Sequence, residues 1–536
     1  MIAASFGQTY TPGPQVFTFW SNVDDSDQPY AVYVPKGFDP AKKYPLVISL
    51  PGAYSNHRLN LRRVFGQGNR LRESDAEASR YFPPLRDVDY IVASPYARGT
   101  MGYRGIAEKD VYDVMADVKR RFPIDEDRVY LTGLSMGGGG TLWLGLTRPD
   151  LWAAIAPVCA AAPPETEELA ANALNVPVHL FHGDQDPVVP VEVSRAWHKR
   201  FLDFGVKAEY IEYPGVRHNS WDYAYKDAAI FDWFAKFRRV RYPDRVRFAS
   251  DAYRYDSAYW IKLDGLTPGM LASIDARFTG RNTLEITTKN LDGFTLNLTG
   301  HAKFSRSAPV AVSIDGALIK TRTLSFSRTP RGWIAARFES TSGDKHPGSE
   351  GPIADAFASR HIYVYGTSGS PSAEELAARQ QLAVQAADWH GIAGRLAVSF
   401  PVKPDKNVQD SDLESASLVL FGTKETNSVI AKLAPHFPLE LNAGAADYGL
   451  VFVVPVRKHY AVVNSGLPWW TGADQIQRPG YHFLPGTWAV LETFGDYVLF
   501  KGSLENVAAE GRFDRHWKFT PDAVAKMTAP GAVVIK

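Results

Sequence analysis

The chain has 536 residues, too many for one ordinary domain, because single hydrophobic cores stop growing near about 250–300 residues. Its composition, 45% hydrophobic and 22% charged, is that of a soluble globular protein. No stretch approaches the roughly 20 apolar residues of a spanning helix, so we expect no membrane partner. The 59 Lys and Arg residues nearly balance the 58 Asp and Glu residues without forming a basic block, so nucleic acid is not an expected partner.

The N-terminal residues, MIAASFGQTY, lack a charged segment followed by an apolar run, so the sequence shows no intact signal peptide. A mature exported protein restarted with methionine would look the same. We expect a periplasmic or secreted protein, with a cytoplasmic one left open. The single cysteine, Cys159, can form neither an intramolecular disulfide nor a multi-cysteine zinc site, and its apolar surroundings predict a small buried side chain.

From Tyr30 to about Arg239, short β-branched or aromatic runs alternate with longer amphipathic ones, which is the pattern of parallel βαβ units. Strands are predicted at residues 30–35, 45–50, 90–94, 128–132, 153–158, 177–182 and 207–213. Helices are predicted at residues 110–122, 137–146, 192–204 and 222–239, and Asp110 is the expected N-cap of the first. We therefore expect an α/β domain with a mostly parallel central sheet over residues 1–243.

The composition changes after about residue 241, where strand-like runs at 257–263, 283–288 and 294–298 predict a β-rich module over residues 244–340. The stretch 340–352 is rich in Gly, Ser and Pro and is predicted to be a linker or an exposed loop. Beyond it, strands at 361–365, 417–421 and 449–454 alternate with helices at 373–388 and 427–434. This pattern predicts a C-terminal α/β domain of Rossmann-like, parallel type over residues 341–536.

The pentapeptide GLSMG at 133–137 follows one predicted strand directly and opens the next predicted helix. In this context the turn holds the central Ser135 in strained backbone geometry, with its hydroxyl exposed above the carboxyl edge of the sheet. The helix N-terminus also stabilises developing negative charge. The pattern therefore indicates a nucleophile, against the alternative of a plain glycine-rich turn.

A serine hydroxyl needs a base to take its proton, and the base needs a carboxylate to orient it. Where the serine lies in a turn between a parallel strand and a helix, as here, the three residues follow one another along the chain in the order serine, acid, histidine. The strand-end loop HGDQDPVVP at 182–190 supplies Asp186 as the predicted acid, with Asp184 as the alternative. The next such loop, PGVRHNSW at 214–221, supplies His218 as the predicted base. His182 is expected to be structural, with its ring bonded to the acid loop.

A tetrahedral intermediate also needs two backbone N–H donors for its oxyanion. Met136, the residue after the nucleophile, is predicted to supply one. The loop LPGAY at 50–54 supplies the other, from Ala53, with Tyr54 as the alternative. The sequence contains no HExxH or CxxC motif and no phosphate loop, so we expect no metal and no organic cofactor.

Three stretches, LTGLSMGGGGT, HGDQDPVVP and GVRHNSW, resemble the catalytic domain of serine hydrolases with the α/β-hydrolase fold. The similar enzymes are prolyl-oligopeptidase-like or feruloyl or acetyl esterase-like and include relatives of polyhydroxybutyrate depolymerases. The resemblance covers about residues 30–239 and departs at Pro51, where many of these esterases carry histidine. Four later stretches resemble a C-terminal extension found on uncharacterised bacterial members of the group: GPIADAF at 351–357, LVLFGTKETNSVIAKL at 418–433, VVNSG at 462–466 and GRFDRHW at 511–517. The resemblance implies a serine hydrolase.

An esterase and a serine peptidase both agree with this resemblance. True prolyl oligopeptidases carry a large β-propeller that filters peptides, whereas here about 29 residues precede the first predicted core strand and no blade repeat is visible. This favours a carboxylic-ester hydrolase over a prolyl-oligopeptidase-like peptidase. A non-catalytic binding protein on a hydrolase fold is the third alternative, and the presence of all three triad residues in order argues against it.

Acetyl or feruloyl esters of plant polysaccharide, or related small esters, are the expected substrates, because aromatic side chains lie near the inferred site. Tyr54 and Trp221 are predicted to contact the substrate, whereas Trp143 is expected to pack in the fold. Assembly into a homo-oligomer is left open.

Overall fold

A computed structural model describes residues 10–341, 343–389, 396–471, 484 and 486–536. Residues 1–9, which belong to the N-terminal segment that was considered for a signal peptide, lie outside the described residues. The chain forms three regions of β-structure in sequence order, each with its own sheet or pair of sheets.

The first region is one eight-stranded sheet in the order β1-β2-β4-β3-β5-β6-β7-β8. Its strands are β1 (Gly13–Ser21), β2 (Ser26–Val34), β3 (Tyr44–Leu50), β4 (Ile91–Pro95), β5 (Ile124–Leu134), β6 (Ala154–Val158), β7 (Val178–Gly183) and β8 (Ala208–Tyr213). β2 pairs antiparallel with β1 and β4, and β3 to β8 run parallel. All seven strands predicted here are present, which confirms an α/β region with a mostly parallel sheet.

Helices cover both faces of this sheet, which is why a central strand such as β3 is buried along its whole length. The helices of the first region are α1 (His57–Val64), α2 (Asp75–Ala78), α3 (Ile106–Arg121), α4 (Met136–Thr147), α5 (Val191–Asp203), α6 (Trp221–Ala224) and α7 (Ala229–Phe234), with 3-10 turns at Pro149–Leu151, Thr166–Asn175 and Lys226–Ala228. The sequence analysis missed β1, whose burial does not alternate cleanly and whose nine residues all pair with β2.

Two predicted helices differ from the structure. Helix α3 begins at Ile106 after Gly105, so Asp110 is not an N-cap. Asp110 is buried in the helix because its Oδ2 accepts a hydrogen bond from Nε of the buried Arg98 at 2.6 Å. The predicted helix at 222–239 is broken into α6, a 3-10 turn and α7, because Asp227 and Ala228 adopt positive φ angles of 54° and 56°, and it ends at Phe234.

The second region consists of two five-stranded sheets, which confirms additional β-rich structure after the first sheet. Its strands are β9 (Arg245–Ser250), β10 (Ser257–Ala258), β11 (Ile261–Leu266), β12 (Ala272–Gly280), β13 (Thr283–Lys289), β14 (Leu291–Leu296), β15 (Val310–Ile314), β16 (Ala317–Thr321), β17 (Ser325–Thr329) and β18 (Gly332–Ile334), with a 3-10 turn at Tyr253–Tyr255. The single strand predicted at 257–263 is a short hairpin, since β10 pairs antiparallel with β11 around Tyr259, whose φ is 55°.

The prediction of a linker or exposed loop at 340–352 is wrong for much of that stretch. Lys345 is 2% exposed, and its Nζ donates a hydrogen bond to Oδ2 of Asp496 at 2.5 Å. Glu350 is 1% exposed, and its Oε1 accepts from the backbone N–H of Arg254 at 2.9 Å. These partners lie far away along the chain, so local composition could not reveal the burial.

The third region is a mixed seven-stranded sheet in the order β20-β19-β21-β24-β23-β25-β26, with a separate pair, β22 and β27. Its strands are β19 (His361–Tyr365), β20 (Val402–Pro404), β21 (Ser417–Phe421), β22 (Leu439–Leu441), β23 (Tyr448–Val456), β24 (His459–Gly466), β25 (Tyr497–Lys501), β26 (Val507–Gly511) and β27 (Val533–Ile535). Its helices are α8 (Ile353–Ala356), α9 (Ala373–Ala387), α10 (Asp410–Ser415), α11 (Ser428–Leu433), α12 (Gly486–Leu491) and α13 (Pro521–Thr528), with 3-10 turns at Asp405–Asn407 and Ala434–His436.

The parallel character predicted for this region is correct for only four strands. β20, β19, β21 and β24 are parallel, whereas β23, which contains the predicted strand 449–454, pairs antiparallel with β24 and β25. The predicted domain boundaries at 243/244 and 340/341 stay a prediction. No helix among the described residues is long and apolar enough to cross a membrane.

Candidate active site

Ser135 lies in a sharp turn between β5 and α4, at the carboxyl edge of the first sheet. Its backbone is strained, with φ 54° and ψ −116°, in a region that residues other than glycine rarely adopt. The turn is supported on both sides, since the Ser135 N–H donates to Val158 O at 2.9 Å and its carbonyl accepts from Ala161 N–H at 3.1 Å. The side chain is half-buried, so the hydroxyl remains accessible at the surface of the sheet edge.

The two glycines of the pentapeptide are required by close chain contacts. A Cβ at Gly133 would collide with the carbonyl of Gly137, and a Cβ at Gly137 would collide with the carbonyls of Leu50 and Pro51. The turn can therefore sit against the end of β3 only because these positions have no side chain. This explains the GLSMG spacing at the level of packing.

The structure brings Ser135, His218 and Asp186 together in one hydrogen-bonded chain. Nε2 of His218 lies 2.9 Å from Oγ of Ser135, and Nδ1 of His218 lies 2.8 Å from Oδ2 of Asp186. Because the Asp186 carboxylate accepts, the proton of the neutral imidazole belongs on Nδ1, which leaves Nε2 free to accept from the serine hydroxyl. The histidine side chain is 22% exposed and the aspartate side chain is fully buried.

Asp186, rather than the alternative Asp184, contacts the histidine. Oδ1 of Asp184 accepts from the backbone N–H of Gly215 at 2.7 Å and stabilises the loop that carries His218. Burial alone would raise the pKa of Asp186. Hydrogen bonds from His182, His218 and two backbone N–H groups outweigh burial and hold the pKa of that carboxyl well below its usual range. Asp186 is therefore a carboxylate at any pH near neutral.

His182 has the structural position that the sequence predicted. Its Nε2 lies 2.9 Å from Val189 O and 3.2 Å from Oδ2 of Asp186, so the ring bonds the acid loop directly. Its Nδ1 lies 2.7 Å from Oγ of Ser194. This second serine–histidine pair is completely buried, unlike the pair formed by Ser135.

The predicted oxyanion donors belong to the start of α4 and to the loop after β3. Met136 is the first residue of α4, so its N–H has no acceptor within the helix. The loop after β3 is close to the serine, because a Cβ built on Gly52 would lie 3.6 Å from Cβ of Ser135. The N–H of Tyr54 already donates to Oγ1 of Thr100 at 2.7 Å. This bond favours Ala53 over Tyr54 as the second donor.

The aromatic residues near the site have different environments. The ring of Trp221 is edge-on to His218, with centroids 5.4 Å apart, and Tyr54 is 65% exposed in the loop after β3. Trp143 packs in the fold as expected, since its Nε1 donates to Glu108 at 3.0 Å and its ring is edge-on to Tyr255. Of the two residues predicted to contact substrate, Trp221 therefore lies against the His218 ring, and Tyr54 lies exposed in the loop after β3.

Cys159 is buried, as predicted, next to this site. Its Sγ, a carboxylate oxygen of Asp186 and a ring nitrogen of His218 lie within 4.8 Å of one another, a spacing that could hold a metal ion. Burial raises the pKa of the Cys159 thiol to about 12, so the sulfur is protonated near neutral pH and is a poor metal ligand. Its S–H instead donates to the His218 carbonyl at 3.5 Å. The arrangement fits a hydrogen-bonded triad better than a metal centre.

Sequence analysis missed the loop after β4, which supports the loop after β3. Thr100 accepts the Tyr54 N–H, and the hydroxyl of Tyr103 donates to Pro51 O at 2.8 Å. In this loop Ala97 and Arg98 both have positive φ angles, 49° and 65°. The position of the segment YARGTMGYRG at the carboxyl end of a parallel strand is the signal that could have identified it.

Comparison with known proteins relates this site to a family. Residues 109–231 match the family model described as Phospholipase/Carboxylesterase. Cutinase 1 of Thermobifida cellulosilytica is 35% identical over 100 residues, which are 18% of this chain and 36% of that protein. Acyl-protein thioesterase 1 homolog 2 of Dictyostelium discoideum is 27% identical over 117 residues, 21% of this chain and 52% of that protein. The chain thus spans about a third of the length of the cutinase.

Among solved structures, a thermostable esterase is 27% identical, with a TM-score of 0.34 over 42% of this chain and 63% of that chain. A ferulic acid esterase from Anaeromyces mucronatus is 18% identical, with a TM-score of 0.33 over 43% of this chain and 92% of that chain. The matched segment 109–231 includes Ser135, Asp186 and His218. All three residues of the hydrogen-bonded chain therefore lie in the part of the sequence that is similar to this family model.

Proposed function

We propose that the protein is a serine carboxylic-ester hydrolase that works through Ser135, His218 and Asp186. The observation that carries the proposal is the hydrogen-bonded chain from Ser135 Oγ through the His218 ring to Asp186, at 2.9 and 2.8 Å, on a strained and accessible turn. A serine with this base and this orienting carboxylate is an activated nucleophile.

The reaction proceeds in two acyl transfers. Ser135 Oγ attacks the ester carbonyl while His218 Nε2 takes the hydroxyl proton, and the imidazolium is stabilised by the Asp186 carboxylate. The C–O bond to the alcohol then breaks, and the same proton passes from Nε2 to the leaving alkoxide. Water repeats the attack on the acyl-enzyme, with His218 again as base, and releases the acid and free Ser135.

The negative charge of each tetrahedral intermediate develops beside the loop after β3 and the start of α4. The N–H groups of Met136 and Ala53 are the proposed donors, and the helix N-terminus adds a favourable potential. The hydrogen bond from Tyr54 N–H to Thr100 holds the loop before substrate arrives. No step requires a metal or an organic cofactor.

Ester substrates are favoured over peptides because the matched family is described by phospholipases and carboxylesterases. Acetyl or feruloyl groups on plant polysaccharide, or related small esters, are the proposed substrates. The exposed Tyr54 and the Trp221 ring beside His218 offer aromatic contacts to such an acyl or sugar group. We also propose that the protein acts outside the cytoplasm, where these polymers occur.

The test compares the wild-type protein with Ser135→Ala on p-nitrophenyl acetate, methyl ferulate, acetylated xylan and a proline-containing peptide anilide. Ser411→Ala, an exposed serine on α10, serves as the matched control. We expect ester turnover that Ser135→Ala loses and Ser411→Ala keeps, with the anilide uncleaved. Cleavage of the anilide would favour the prolyl-oligopeptidase-like peptidase. No turnover of any ester would favour a binding protein on a hydrolase fold.

A further inference from the structure

The loop after β4, residues 96–105, has a strained conformation that contacts from elsewhere in the chain must hold. Ala97 and Arg98 have positive φ angles of 49° and 65°, although neither is glycine. Such backbone geometry persists only where the surrounding structure imposes it. A hydrogen bond from Gly99 N–H to Tyr96 O, at 3.1 Å, closes the turn locally. The further support comes from the side chain of Arg98 and from the third region.

The Arg98 guanidinium is buried between two carboxylates of the first region. Its Nε donates to Oδ2 of Asp110 at 2.6 Å, and its Nη1 donates to Oδ2 of Asp24 at 2.7 Å. All three side chains have almost no exposed surface. Charge-assisted hydrogen bonds in fixed directions hold a planar guanidinium firmly. They therefore also restrain the strained backbone that carries it.

A segment of the third region completes this ion cluster. Ala397 N–H donates to Arg98 O at 3.1 Å, and Ala397 O accepts from Nη1 of Arg98 at 3.0 Å. Ser399 N–H donates to Oδ2 of Asp24 at 3.3 Å. The third region thus bonds both the backbone and the side chain of the strained residue.

Two apolar side chains of the third region contact glycines in the same loop. A Cβ built on Gly102 would lie 3.3 Å from Cδ2 of Leu484, and one built on Gly105 would lie 2.6 Å from Cη2 of Trp488. Both glycines have positive φ angles, 76° and 61°. The far end of the buried indole ring therefore lies directly against the backbone of the loop after β4.

The loop after β4 transmits this support to the loop after β3. Oγ1 of Thr100 accepts from Tyr54 N–H at 2.7 Å, and the hydroxyl of Tyr103 donates to Pro51 O at 2.8 Å. Thr100 and Tyr103 belong to the segment that the third region contacts. Ala53, the proposed oxyanion donor, lies between the two residues that they bond.

We propose that Arg98 and Trp488 are positioning residues of ester hydrolysis, through which the third region holds the loop after β3 in its oxyanion-binding geometry. The inference rests on the proposed function. Backbone donors stabilise a developing charge only when they are fixed before the reaction. Loss of the support weakens binding of the transition state more than binding of the substrate, so kcat falls while KM changes little.

The first experiment removes each contact from the full chain. Trp488→Phe shortens the ring that reaches Gly105, and Arg98→Lys keeps the positive charge but loses the guanidinium fork. Each should lower kcat on p-nitrophenyl acetate about fivefold, with KM within about twofold of wild type. The matched control is Trp469→Phe, since this buried indole is edge-on to Phe494 of its own region, and it should keep wild-type kcat. Differential scanning calorimetry confirms that each variant is folded at the assay temperature.

The second experiment tests the route. The double variant Thr100→Val with Tyr103→Phe lacks both hydrogen bonds to the loop after β3. Effects that share one route do not multiply, so adding Trp488→Phe to this double variant should change kcat by less than about 1.5-fold. A further fivefold fall would overturn the proposed route.

Hydrogen–deuterium exchange measures the support without turnover. The Tyr54 amide should exchange at least about threefold faster in Trp488→Phe and Arg98→Lys than in wild type. The Val189 amide, bonded to Asp186, should exchange at the wild-type rate. Unchanged exchange at Tyr54, or wild-type kcat in both folded variants, would overturn the inference and leave the proposed function intact. Full ester turnover by Ser135→Ala would instead contradict the proposed function, and exchange at Tyr54 would still decide whether the third region holds the loop.

Discussion

The carboxyl edges of the first and third sheets make an instructive comparison, because both carry loops that follow buried parallel strands. In the first sheet, the loop after β5 holds Ser135 at a φ of 54°, half-exposed and bonded to His218. In the third sheet, the loops converge on Asp405, which is 3% exposed. Asp405 accepts from the N–H and hydroxyl of Thr367, at 2.9 and 2.6 Å, and from the N–H of Ser428 at 2.6 Å.

The two edges therefore use their polar groups in opposite ways. The Asp405 carboxylate is saturated by donors of its own protein, and the loops pack so closely that a Cβ at Gly366 would meet the carbonyl of Thr426. At the first edge, strain keeps the serine oxygen accessible and the N–H of Met136 lacks an acceptor within its helix. The carboxyl edge of a parallel sheet brings loops together. A reactive site also requires polar groups that the protein does not already saturate with its own hydrogen bonds.

The largest effect should come from Asp186, the acid that orients His218 at the carboxyl edge of the first sheet. Asp186→Asn is expected to lower kcat on p-nitrophenyl acetate by about 10⁴-fold, because the amide no longer selects the Nδ1–H tautomer of His218. Asp184→Asn is the matched control and should change kcat by less than about threefold, since Asp184 bonds Gly215 instead. Steady-state kinetics of both variants decide between the two acids, and equal losses would contradict the assignment.

Asp405, the buried acid at the carboxyl edge of the third sheet, should affect stability and not catalysis. Asp405→Asn removes a carboxylate whose pKa, despite burial, is lowered by hydrogen bonds from Thr367 and Ser428. We expect the free energy of unfolding to fall by about 2–3 kcal/mol, as for other buried charge-assisted hydrogen bonds. Urea unfolding monitored by tryptophan fluorescence measures the loss. Ester turnover at 25 °C should stay within twofold of wild type, and a large fall in turnover of the folded variant would remove the contrast between the edges.

The hydrogen bond that supports the loop after β3, which carries the proposed oxyanion donor Ala53, should have an intermediate effect on catalysis. Thr100→Val deletes the acceptor of the Tyr54 N–H, so the loop that carries Ala53 becomes less well ordered. We expect kcat to fall by about tenfold with little change in KM, less than the loss of an oxyanion donor itself. Thr100→Ser keeps the hydroxyl and should restore most of kcat. Failure of the serine variant to do so would indicate that packing of the threonine methyl, and not the hydrogen bond, supports the loop.

The smallest effect concerns Glu492, a buried carboxyl of the third region, and depends on pH. Burial raises the pKa of Glu492 to about 7, above its ordinary value of 4.5, so the folded chain binds this proton more tightly than the unfolded chain. Stability from this group is therefore lost as the pH rises from about 4.5 through 7. Glu492→Gln should gain about 1–3 °C in Tm relative to wild type between pH 5 and pH 8. Glu505→Gln, at an exposed position, should show no such gain in differential scanning calorimetry.

Much of the first region could be predicted because its signals are local. Hydrophobic runs gave seven strands of the sheet, and the GLSMG spacing follows from chain contacts that only glycine permits. The chain order of Ser135, Asp186 and His218 agrees with the geometry, because each follows a strand whose carboxyl end lies at the same sheet edge.

The remaining features depend on contacts between distant parts of the chain. Asp110 looked like an N-cap, but its partner is Arg98 in a buried ion pair. The composition of the stretch 340–352 predicted an exposed segment, but Lys345 is buried and hydrogen-bonded to Asp496. The run 449–454 was predicted to be a parallel strand and is antiparallel, because buried strands of either direction are equally apolar. Thr100 gave no motif of its own, since its role is defined only by the loop that it touches.

The most direct test of the account is covalent labelling with a fluorophosphonate, which reacts with activated serine nucleophiles, followed by tandem mass spectrometry of the digested protein. We predict one stoichiometric adduct on Ser135, strongly slowed in His218→Ala and absent from the buried Ser194. An adduct on another serine, no adduct at all, or equal labelling of wild type and His218→Ala would contradict the claim that His218 activates Ser135.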